Sequence, residues 1–170
     1  EVLKEFSELC EAEKINIESH EVSLGDFFSQ LRSGYGAPIN KELTLNWDYP
    51  SHLPAIKTDS GKLKEILQNL IDNAMKFTDK GSITISARIK DAGKQVEFKV
   101  ADTGVGIPKE ALPFIFEKFR QVDSSETRLF GGVGMGLYIV KKFTELLGGT
   151  VEVDTEPGKG STFTVTIPLK

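Results

Sequence analysis

Apolar side chains recur at three- and four-residue spacing between positions 63 and 75 of this chain. That period is typical of an α-helix with one face buried against a core. Just before it, Thr58-Asp59-Ser60 supplies side chains that commonly cap a helix N-terminus, so the pattern predicts a helix from about Ser60 to Phe77. The apolar positions are Leu63, Ile66, Leu67, Leu70, Ile71, Ala74 and Met75. Such a helix is stable only when a second layer covers its apolar face.

Strands that alternate between apolar and polar residues supply this second layer. Residues 82–101 alternate on both sides of a turn at Asp91-Ala92-Gly93, which is typical of a β-hairpin. A last hairpin is predicted over residues 151–167, a single strand over 43–47 and a weaker strand over 15–22.

Further helices are predicted between these strands. They cover residues 24–32, a short stretch at 109–119, and residues 134–147, where Gly148-Gly149 ends the helix. Residues 1–14 have a thin apolar stripe that is typical of the end of a helix. Helices interleaved with hairpins favour an α/β fold. We expect a two-layer sandwich with a mixed, mostly antiparallel sheet of about five strands and three main helices on one face.

The composition excludes several classes of protein. The 170 residues carry a formal net charge of −4 and contain no basic block, which argues against nucleic-acid binding. The single cysteine, Cys10, cannot form an internal disulfide, and no apolar run is long enough to span a membrane. The first residue is Glu1 rather than Met, so we expect a piece of a longer polypeptide. We expect the piece itself to be cytoplasmic, although its parent is free to be anchored in a membrane.

The helix predicted at 60–77 also carries a polar stripe. At about 100° per residue, Asn69, Asn73 and Lys76 lie within roughly 60° of one another, away from the apolar face. Asparagine is a mediocre helix former, so two asparagines one turn apart indicate a polar ligand. An amide oxygen is a hard donor that suits Mg²⁺. Taken alone, the stripe is also open to interpretation as a solvated helix face.

The segment Asp102-Thr103-Gly104-Val105-Gly106-Ile107-Pro108 directly follows a predicted strand. An aspartate in this place can accept a hydrogen bond from an amino group of a ligand, and the glycines allow backbone and ligand to approach closely. An Asx-type turn that closes the strand is the alternative interpretation.

Residues 130–137 are rich in glycine and lead into a predicted helix. Successive backbone N–H groups and a helix N-terminus can bind phosphate. The segment is not the dinucleotide motif, because Leu137 stands where a third glycine is needed. Nor is Gly158-Lys159-Gly160 a Walker A motif, because Gly160 replaces the Ser or Thr. A flexible linker is the alternative interpretation of residues 130–137. The polar residues 120–133, which show no periodicity, are predicted to form a mobile loop.

In their order and spacing, these segments resemble the catalytic and ATP-binding domain of sensor histidine kinases, within the GHKL ATP-binding superfamily. The resemblance covers about residues 15–169. Five motifs carry it: residues 67–78 resemble the N box, 102–108 the first glycine box, 116–119 the F box, 132–137 the second glycine box and 158–163 the closing glycine box.

The resemblance implies a phosphate end of the site. Asn73 would supply its amide oxygen to Mg²⁺, Asn69 would contact phosphate or metal, and Lys76 would reach the phosphates. These three are therefore the expected catalytic residues. The second glycine box would place Gly132, Gly134 and Gly136 around the phosphates. It would place the apolar side chains of Met135 and Leu137 beside the nucleotide.

The resemblance also implies a base end. Phe77 would stack on the adenine, and Asp102 would accept a hydrogen bond from the exocyclic amino group. Guanine has a carbonyl at that place, which would face the carboxylate as a second acceptor. The remaining expected contacts are Gly104 and Gly106, which let the nucleotide approach, the apolar wall Ile107, and Ser161, which bonds near the adenine directly or through water.

Two departures from the family pattern matter. Val133 and Met135 stand where the second glycine box usually has Thr and Leu, which removes one hydroxyl and about 1 kcal/mol of hydrogen bonding. The phosphoacceptor is also missing, because His20 and His52 lack the acidic and proline neighbours of the family's acceptor histidine.

The resemblance further implies a domain order and a set of partners. Residues 1–14 would be the stump of the helical dimerisation and phosphoacceptor domain, and residues 15–170 the catalytic domain. The expected partners are ATP or ADP, the phosphoacceptor domain of the same parent protein and a response regulator, without nucleic acid. We expect a monomer in the absence of the dimerisation helices.

Other functions remain open on the sequence. GHKL ATPases of the gyrase or MutL type place a glutamate one helical turn before the metal-binding asparagine, as the general base for water. Asn69 occupies that place here, and an uncharged amide cannot act as that base, which favours the kinase. The alternatives are such an ATPase, a serine kinase of the same superfamily, or a module that holds nucleotide without turnover.

Overall fold

The computed structural model describes residues 17–36, 42–117 and 136–169. These residues contain three α-helices and seven strands. In chain order they are β1 (His20–Ser23), α1 (Leu24–Ser33), β2 (Glu42–Asp48), β3 (Ala55–Thr58), α2 (Ser60–Phe77), β4 (Lys80–Lys90), β5 (Gln95–Asp102), α3 (Gly136–Leu146), β6 (Thr150–Glu156) and β7 (Gly160–Pro168). The predictions for residues 1–14 and 120–133 lie outside the described residues.

Five of the strands form one sheet in the order β2-β4-β5-β7-β6. Strand β2 is parallel to β4, and the other neighbours are antiparallel. The predicted mixed, mostly antiparallel sheet is therefore confirmed, with both predicted hairpins in it.

The weak strand predicted over residues 15–22 is only partly right. In the structure it begins at His20 and pairs with β3 in a separate two-stranded antiparallel sheet. Strand β3 is absent from the sequence prediction, because four residues are too few to show a clear alternation.

Helix α2 packs its apolar stripe against one face of the five-stranded sheet. The helix lies against β4 and β5, while α3 contacts both α2 and β6. Helix α1 reaches the same core, because the Phe28 ring lies 5.8 Å from the ring of Phe98 on β5. All three helices thus cover one face, as predicted. The side chains of α2 that this arrangement buries are Leu63, Ile66, Leu67, Leu70, Ile71 and Ala74.

Asp59 caps α2 and connects it to the chain that precedes β1. Its Oδ1 accepts a hydrogen bond from the Lys62 N–H at 3.1 Å, and its Oδ2 accepts from the Glu18 N–H and the Lys62 ammonium, each at 2.9 Å. Burial alone would raise the pKa of Asp59, but these hydrogen bonds outweigh it and hold the pKa below its ordinary value. The predicted N-cap is confirmed.

Replacing this cap is expected to cost stability. We expect Asp59→Ala to lower the free energy of unfolding by about 1–3 kcal/mol, because two backbone N–H groups and one ammonium lose their acceptor. Since the folded pKa is lowered, this stabilisation is present above the ordinary pKa of 3.8 and is lost as the pH falls through the folded value. Urea unfolding of the variant beside Asp48→Ala, an exposed aspartate at the end of β2, checks this. Equal midpoints for Asp59→Ala and wild type would contradict it.

The short helix predicted over residues 109–119 is wrong for its described part. Residues Leu112–Phe114 form a single 3₁₀ turn, and the flanking backbone bonds also span three residues, as from the Ala111 N–H to the Pro108 carbonyl at 3.0 Å. Pro113 has no N–H for an α-helical bond, and so short a segment cannot offset the cost of nucleating a helix. Residues 118 and 119 lie outside the described part.

Helix α3 ends at the glycine pair Gly148-Gly149, as predicted. The Gly149 N–H donates to the Thr144 carbonyl at 2.9 Å and the Gly148 N–H to the Glu145 carbonyl at 3.0 Å. Gly148 has a φ of +81°, so this is a Schellman termination that a side chain would strain. Among the residues described, no helix has the length and apolar character needed to cross a membrane.

Candidate functional site

The predicted polar stripe lies along the last turns of α2. Asn69 and Asn73 are half-buried, Lys76 is exposed, and Phe77 is half-buried at the final helical position. From Asn69 to Phe77 the helix rises roughly 12 Å, so these side chains line an elongated edge rather than one point. None of the ion pairs found among the described residues includes Lys76, so its exposed ammonium is available to an anion.

Asn69 lies where α2 meets the first described turn of α3. Its Nδ2 donates to the Glu65 carbonyl at 2.7 Å. Its Oδ1 faces Gly136, since a Cβ built on that glycine would lie 3.3 Å from this oxygen. The N-terminal end of α3, with half-buried Leu137 after Gly136, is therefore next to the amide stripe. Of the expected phosphate contacts, Gly132, Gly134 and Met135 lie outside the described residues.

Asp102 lies at the opposite end of this edge, as the last residue of β5. It pairs with Ile83 of β4 on one side and with Ser161 of β7 on the other. Its Oδ1 accepts a hydrogen bond from the Gly104 N–H at 2.9 Å. The Asx-type turn considered from the sequence is therefore present, and it orients the carboxylate.

The carboxylate of Asp102 is in an environment that disfavours its charge. Burial raises its pKa, and the N–H groups of Gly104 and Ser161 and the nearby hydroxyl of Thr78 lower it by less, so the net shift is upward. A ligand amino group would restore part of the solvation that this carboxylate has lost.

The sequence prediction missed Thr78. Its side chain is fully buried beside Gly104, and its Oγ1 makes no hydrogen bond of good geometry to any described residue. A buried hydroxyl is normally satisfied by a polar neighbour, and the group on which it acts is the Asp102 carboxylate, whose pKa it lowers. One signal was present in the sequence: Thr78 follows Ala74 by four residues and so continues the apolar stripe of α2 with a polar group.

Gly104 and Gly106 are required by packing within the protein. A Cβ on Gly104 would collide with the Phe77 carbonyl, and one on Gly106, where φ is +73°, would collide with the Glu156 carbonyl. The sequence interpretation gave these glycines to the ligand, whereas the structure gives them a role in fitting the loop between α2 and the β6-β7 turn. Their contact with a nucleotide stays a prediction.

Three hydrogen bonds hold this loop in place. The Val105 N–H donates to the Phe77 carbonyl at 3.2 Å, and the Gly158 N–H donates to the Val105 carbonyl at 2.7 Å. The Ile107 N–H donates to the Thr155 hydroxyl at 2.9 Å. The structure therefore brings Ile107 and Asp102, together with the residues that hold them, into one corner.

Ser161 and Ile107 complete this corner as buried side chains. Ser161 is 7% exposed, and its Oγ lies 2.7 Å from the Thr155 Oγ1. Ile107 is also 7% exposed and adds an apolar surface. One end of the site thus offers a carboxylate, hydroxyls and an apolar surface, and the other offers amides, an ammonium and a helix N-terminus. A ligand with a planar polar base and a polyanionic tail matches this division.

Residues 58–170 match the family model described as histidine kinase-, DNA gyrase B-, and HSP90-like ATPase. The chain belongs to this family. It is 37% identical over 173 residues to the autoinducer 2 sensor kinase/phosphatase LuxQ of Vibrio vulnificus, covering 98% of this chain and 20% of LuxQ. It is 37% identical over 167 residues to the sensor histidine kinase RcsC of Escherichia coli, covering 97% of this chain and 17% of RcsC.

Solved structures agree with this assignment. Full-length ShkA in complex with AMPPNP superposes with a TM-score of 0.76 at 33% identity, over 91% of this chain and 32% of ShkA. The catalytic domain of the histidine kinase ThkA has a TM-score of 0.74 at 24% identity, over 89% of this chain and 98% of that domain, which supports the fold alone. The chain is thus a catalytic ATP-binding domain of the sensor histidine kinase type, and it spans about a fifth of the length of LuxQ.

Proposed function

We propose that this domain binds ATP with Mg²⁺ and positions the γ-phosphate for transfer to a histidine on a separate helical domain of the same parent protein. The observation that carries the proposal is the placement of Asp102 and Asn69 at opposite ends of one edge of α2, each beside a segment suited to one part of ATP. A response regulator would take the phosphate from that histidine, and the reaction would use cytoplasmic ATP.

The base end would recognise adenine. Asp102 would accept a hydrogen bond from the exocyclic amino group, which offsets the desolvation that raises its pKa. Phe77 would stack on the ring, Ile107 would exclude water from its edge, and Ser161 would bond nearby. Recognition of this kind costs little entropy, because hydrogen bonds within the protein already hold the loop.

The phosphate end would hold the triphosphate by charge and by backbone donors. Lys76 would neutralise part of its charge, and the first turn of α3 at Gly136 would direct N–H groups toward it. Asn73 would present its amide oxygen to Mg²⁺, which supplies charge neutralisation across neighbouring phosphate oxygens when bound. The protein does little covalent chemistry in such a reaction, so placement of the γ-phosphate is its main contribution.

Asn69 supports transfer to histidine over hydrolysis. An ATPase of this family needs a general base to activate water, and the sequence resemblance puts it at the position of Asn69. The amide there cannot take up a proton at neutral pH, and its Nδ2 is bonded to the Glu65 carbonyl. Hydrolysis by that route is therefore disfavoured, while binding and positioning remain possible.

Phosphotransfer assays with γ-labelled ATP and Mg²⁺ test the proposal. Alone, the chain should take up negligible label. With the helical domain of the parent added, label should appear on that domain, stable to base and lost in acid, and not on a copy whose acceptor histidine is changed to glutamine. Label of this kind on the chain itself would assign the acceptor to His20 or His52 and overturn the proposal. Rapid phosphate release without the helical domain would instead support the ATPase.

A further inference from the structure

The hydroxyl of Thr155 connects three segments at the base end of the site. It accepts a hydrogen bond from the Ile107 N–H at 2.9 Å, lies 3.0 Å from the Gly160 carbonyl, and lies 2.7 Å from the Ser161 Oγ. Thr155 pairs with Ser161 across β6 and β7, and Ser161 pairs in turn with Asp102 across β7 and β5. Thr155 is thus one strand removed from the predicted base contacts and touches two of them.

Counting protons fixes the direction of these bonds. A hydroxyl has one proton to donate and two acceptor positions. The Gly160 carbonyl can only accept, so the Thr155 proton is directed to it, and the Ile107 N–H fills one acceptor position of Thr155. The second acceptor position takes the proton of Ser161. Ser161 therefore offers the site an oxygen that accepts hydrogen bonds.

The hydrogen bond from the Ile107 N–H to the Thr155 hydroxyl also holds the Asp102–Ile107 segment against the β6-β7 hairpin, and it does so through a side chain. A second hydrogen bond between this segment and the β6-β7 turn runs between backbone atoms, from the Gly158 N–H to the Val105 carbonyl. The same segment contains Gly104, whose N–H orients the Asp102 carboxylate. A change at Thr155 is consequently passed to Asp102 through a short, hydrogen-bonded loop.

We propose that Thr155 is a positioning residue for recognition of the nucleobase, acting through Asp102 and Ser161 without touching the nucleotide. This deepens the proposed function and rests on it. The Thr155 hydroxyl holds the Asp102–Ile107 loop in the position where the Asp102 carboxylate can accept from the exocyclic amino group of the base. It also keeps the Ser161 hydroxyl oriented as an acceptor. Removing the Thr155 hydroxyl takes one hydrogen-bond partner from the Gly160 carbonyl and one from the Ile107 N–H, and lets both Ser161 and the loop relax.

Comparing ATP with ITP by calorimetry on the whole chain tests this role. The two nucleotides share their ribose and triphosphate, but ITP has a carbonyl in place of the amino group that Asp102 would accept from. Wild type should prefer ATP. In Thr155→Val, which keeps the size of the side chain, ATP affinity should fall about five- to thirtyfold while ITP affinity changes little, so the preference narrows. Thr155→Ser should restore the preference to within about twofold of wild type.

A matched control is Thr164→Val, at a half-buried position of the interior strand β7 on the face away from the helices. It should leave both affinities unchanged. Thermal unfolding of each variant shows how much of it is folded at the assay temperature. If Thr155→Val does not fold, Thr155→Cys replaces it, since sulfur keeps only a weak acceptor there, and the same narrowing is expected.

The possible outcomes separate this inference from the function beneath it. Folded Thr155→Val or Thr155→Cys could lose affinity for ATP and ITP by the same factor, or could keep wild-type affinity for both. In either case Thr155 has only a structural role and the inference is wrong. If wild type binds neither nucleotide, or does not distinguish them, the proposed function fails first.

Discussion

Asp102→Asn is expected to weaken Mg-ATP binding by about 100-fold while leaving the folded domain at least as stable as wild type. The loss of affinity follows from the hydrogen bond to the adenine amino group. The amide loses the negative charge that strengthens this bond, and in one of its two orientations it presents a donor to a donor. The Gly104 N–H can still donate to the remaining amide oxygen, so the turn itself is retained.

The stability expectation follows from the sign of the pKa shift. Burial raises the pKa of Asp102, so the folded protein binds this proton more tightly than the unfolded chain does. The contribution of Asp102 to stability is therefore most favourable at low pH and declines as the pH rises through the raised folded value. At neutral pH the buried charge is a cost, and the uncharged amide of the variant removes that cost.

Two measurements on the same samples check this prediction, calorimetric titration with Mg-ATP and thermal unfolding without nucleotide. Asp154→Asn is the matched control, because it makes the same change at an exposed position of β6 and should alter neither quantity. Unchanged ATP affinity in Asp102→Asn would place adenine recognition elsewhere. A large drop in melting temperature would mean that Asp102 acts chiefly in the fold.

Asn73→Ala is expected to reduce phosphotransfer to the supplied helical domain by at least about 100-fold. The amide oxygen is the expected protein ligand of Mg²⁺, and without it the metal and γ-phosphate would lose their fixed placement. Alanine is the best helix former, and Asn73 is only half-buried in α2, so the helix itself should not be weakened.

Transfer rates measured over a range of Mg²⁺ concentrations check this prediction. Asn46→Ala, at an exposed position of β2, is the control and should transfer at the wild-type rate. Part of the lost activity should return at high Mg²⁺ if the side chain acts through the metal. Wild-type rates in Asn73→Ala at low Mg²⁺ would remove this asparagine from the metal site.

The polar stripe of α2 could be predicted well because helix geometry is local. The angular positions of Asn69, Asn73 and Lys76 depend only on their spacing, and the apolar period showed which face would be buried. The N-cap at Asp59 and the termination at Gly148 were predicted for the same reason, since each depends on a few neighbouring residues. The prediction of a short helix at 109–119 was wrong because it gave too much weight to a local start signal. It gave too little weight to Pro113 in the interior of the segment.

The residues of the base end could be predicted from the family resemblance, but their arrangement in space could not be predicted from the sequence pattern. Asp102 and Ser161 are far apart in sequence and meet through the register of β5 and β7. Thr155 follows Val151 and Val153 in the inward phase of β6, so its polar side chain on that face was a signal that the prediction did not use. Its bond to Ile107 depends on how the loop folds back onto the turn, which no local pattern specifies.

From its residues alone, this chain specifies an apolar-faced helix with a polar edge, two hairpins and the layers that must pack together. These depend on side-chain periods of two and 3.6 residues, which are properties of neighbouring positions. The packed molecule specifies the rest: why Gly104 and Gly106 cannot carry side chains, why the buried hydroxyl of Thr78 lies close enough to Asp102 to lower its pKa, and how Thr155 joins three segments. Those facts arise from close approach between segments distant in sequence, where distances of a few tenths of an ångström decide whether a contact is a hydrogen bond or a collision.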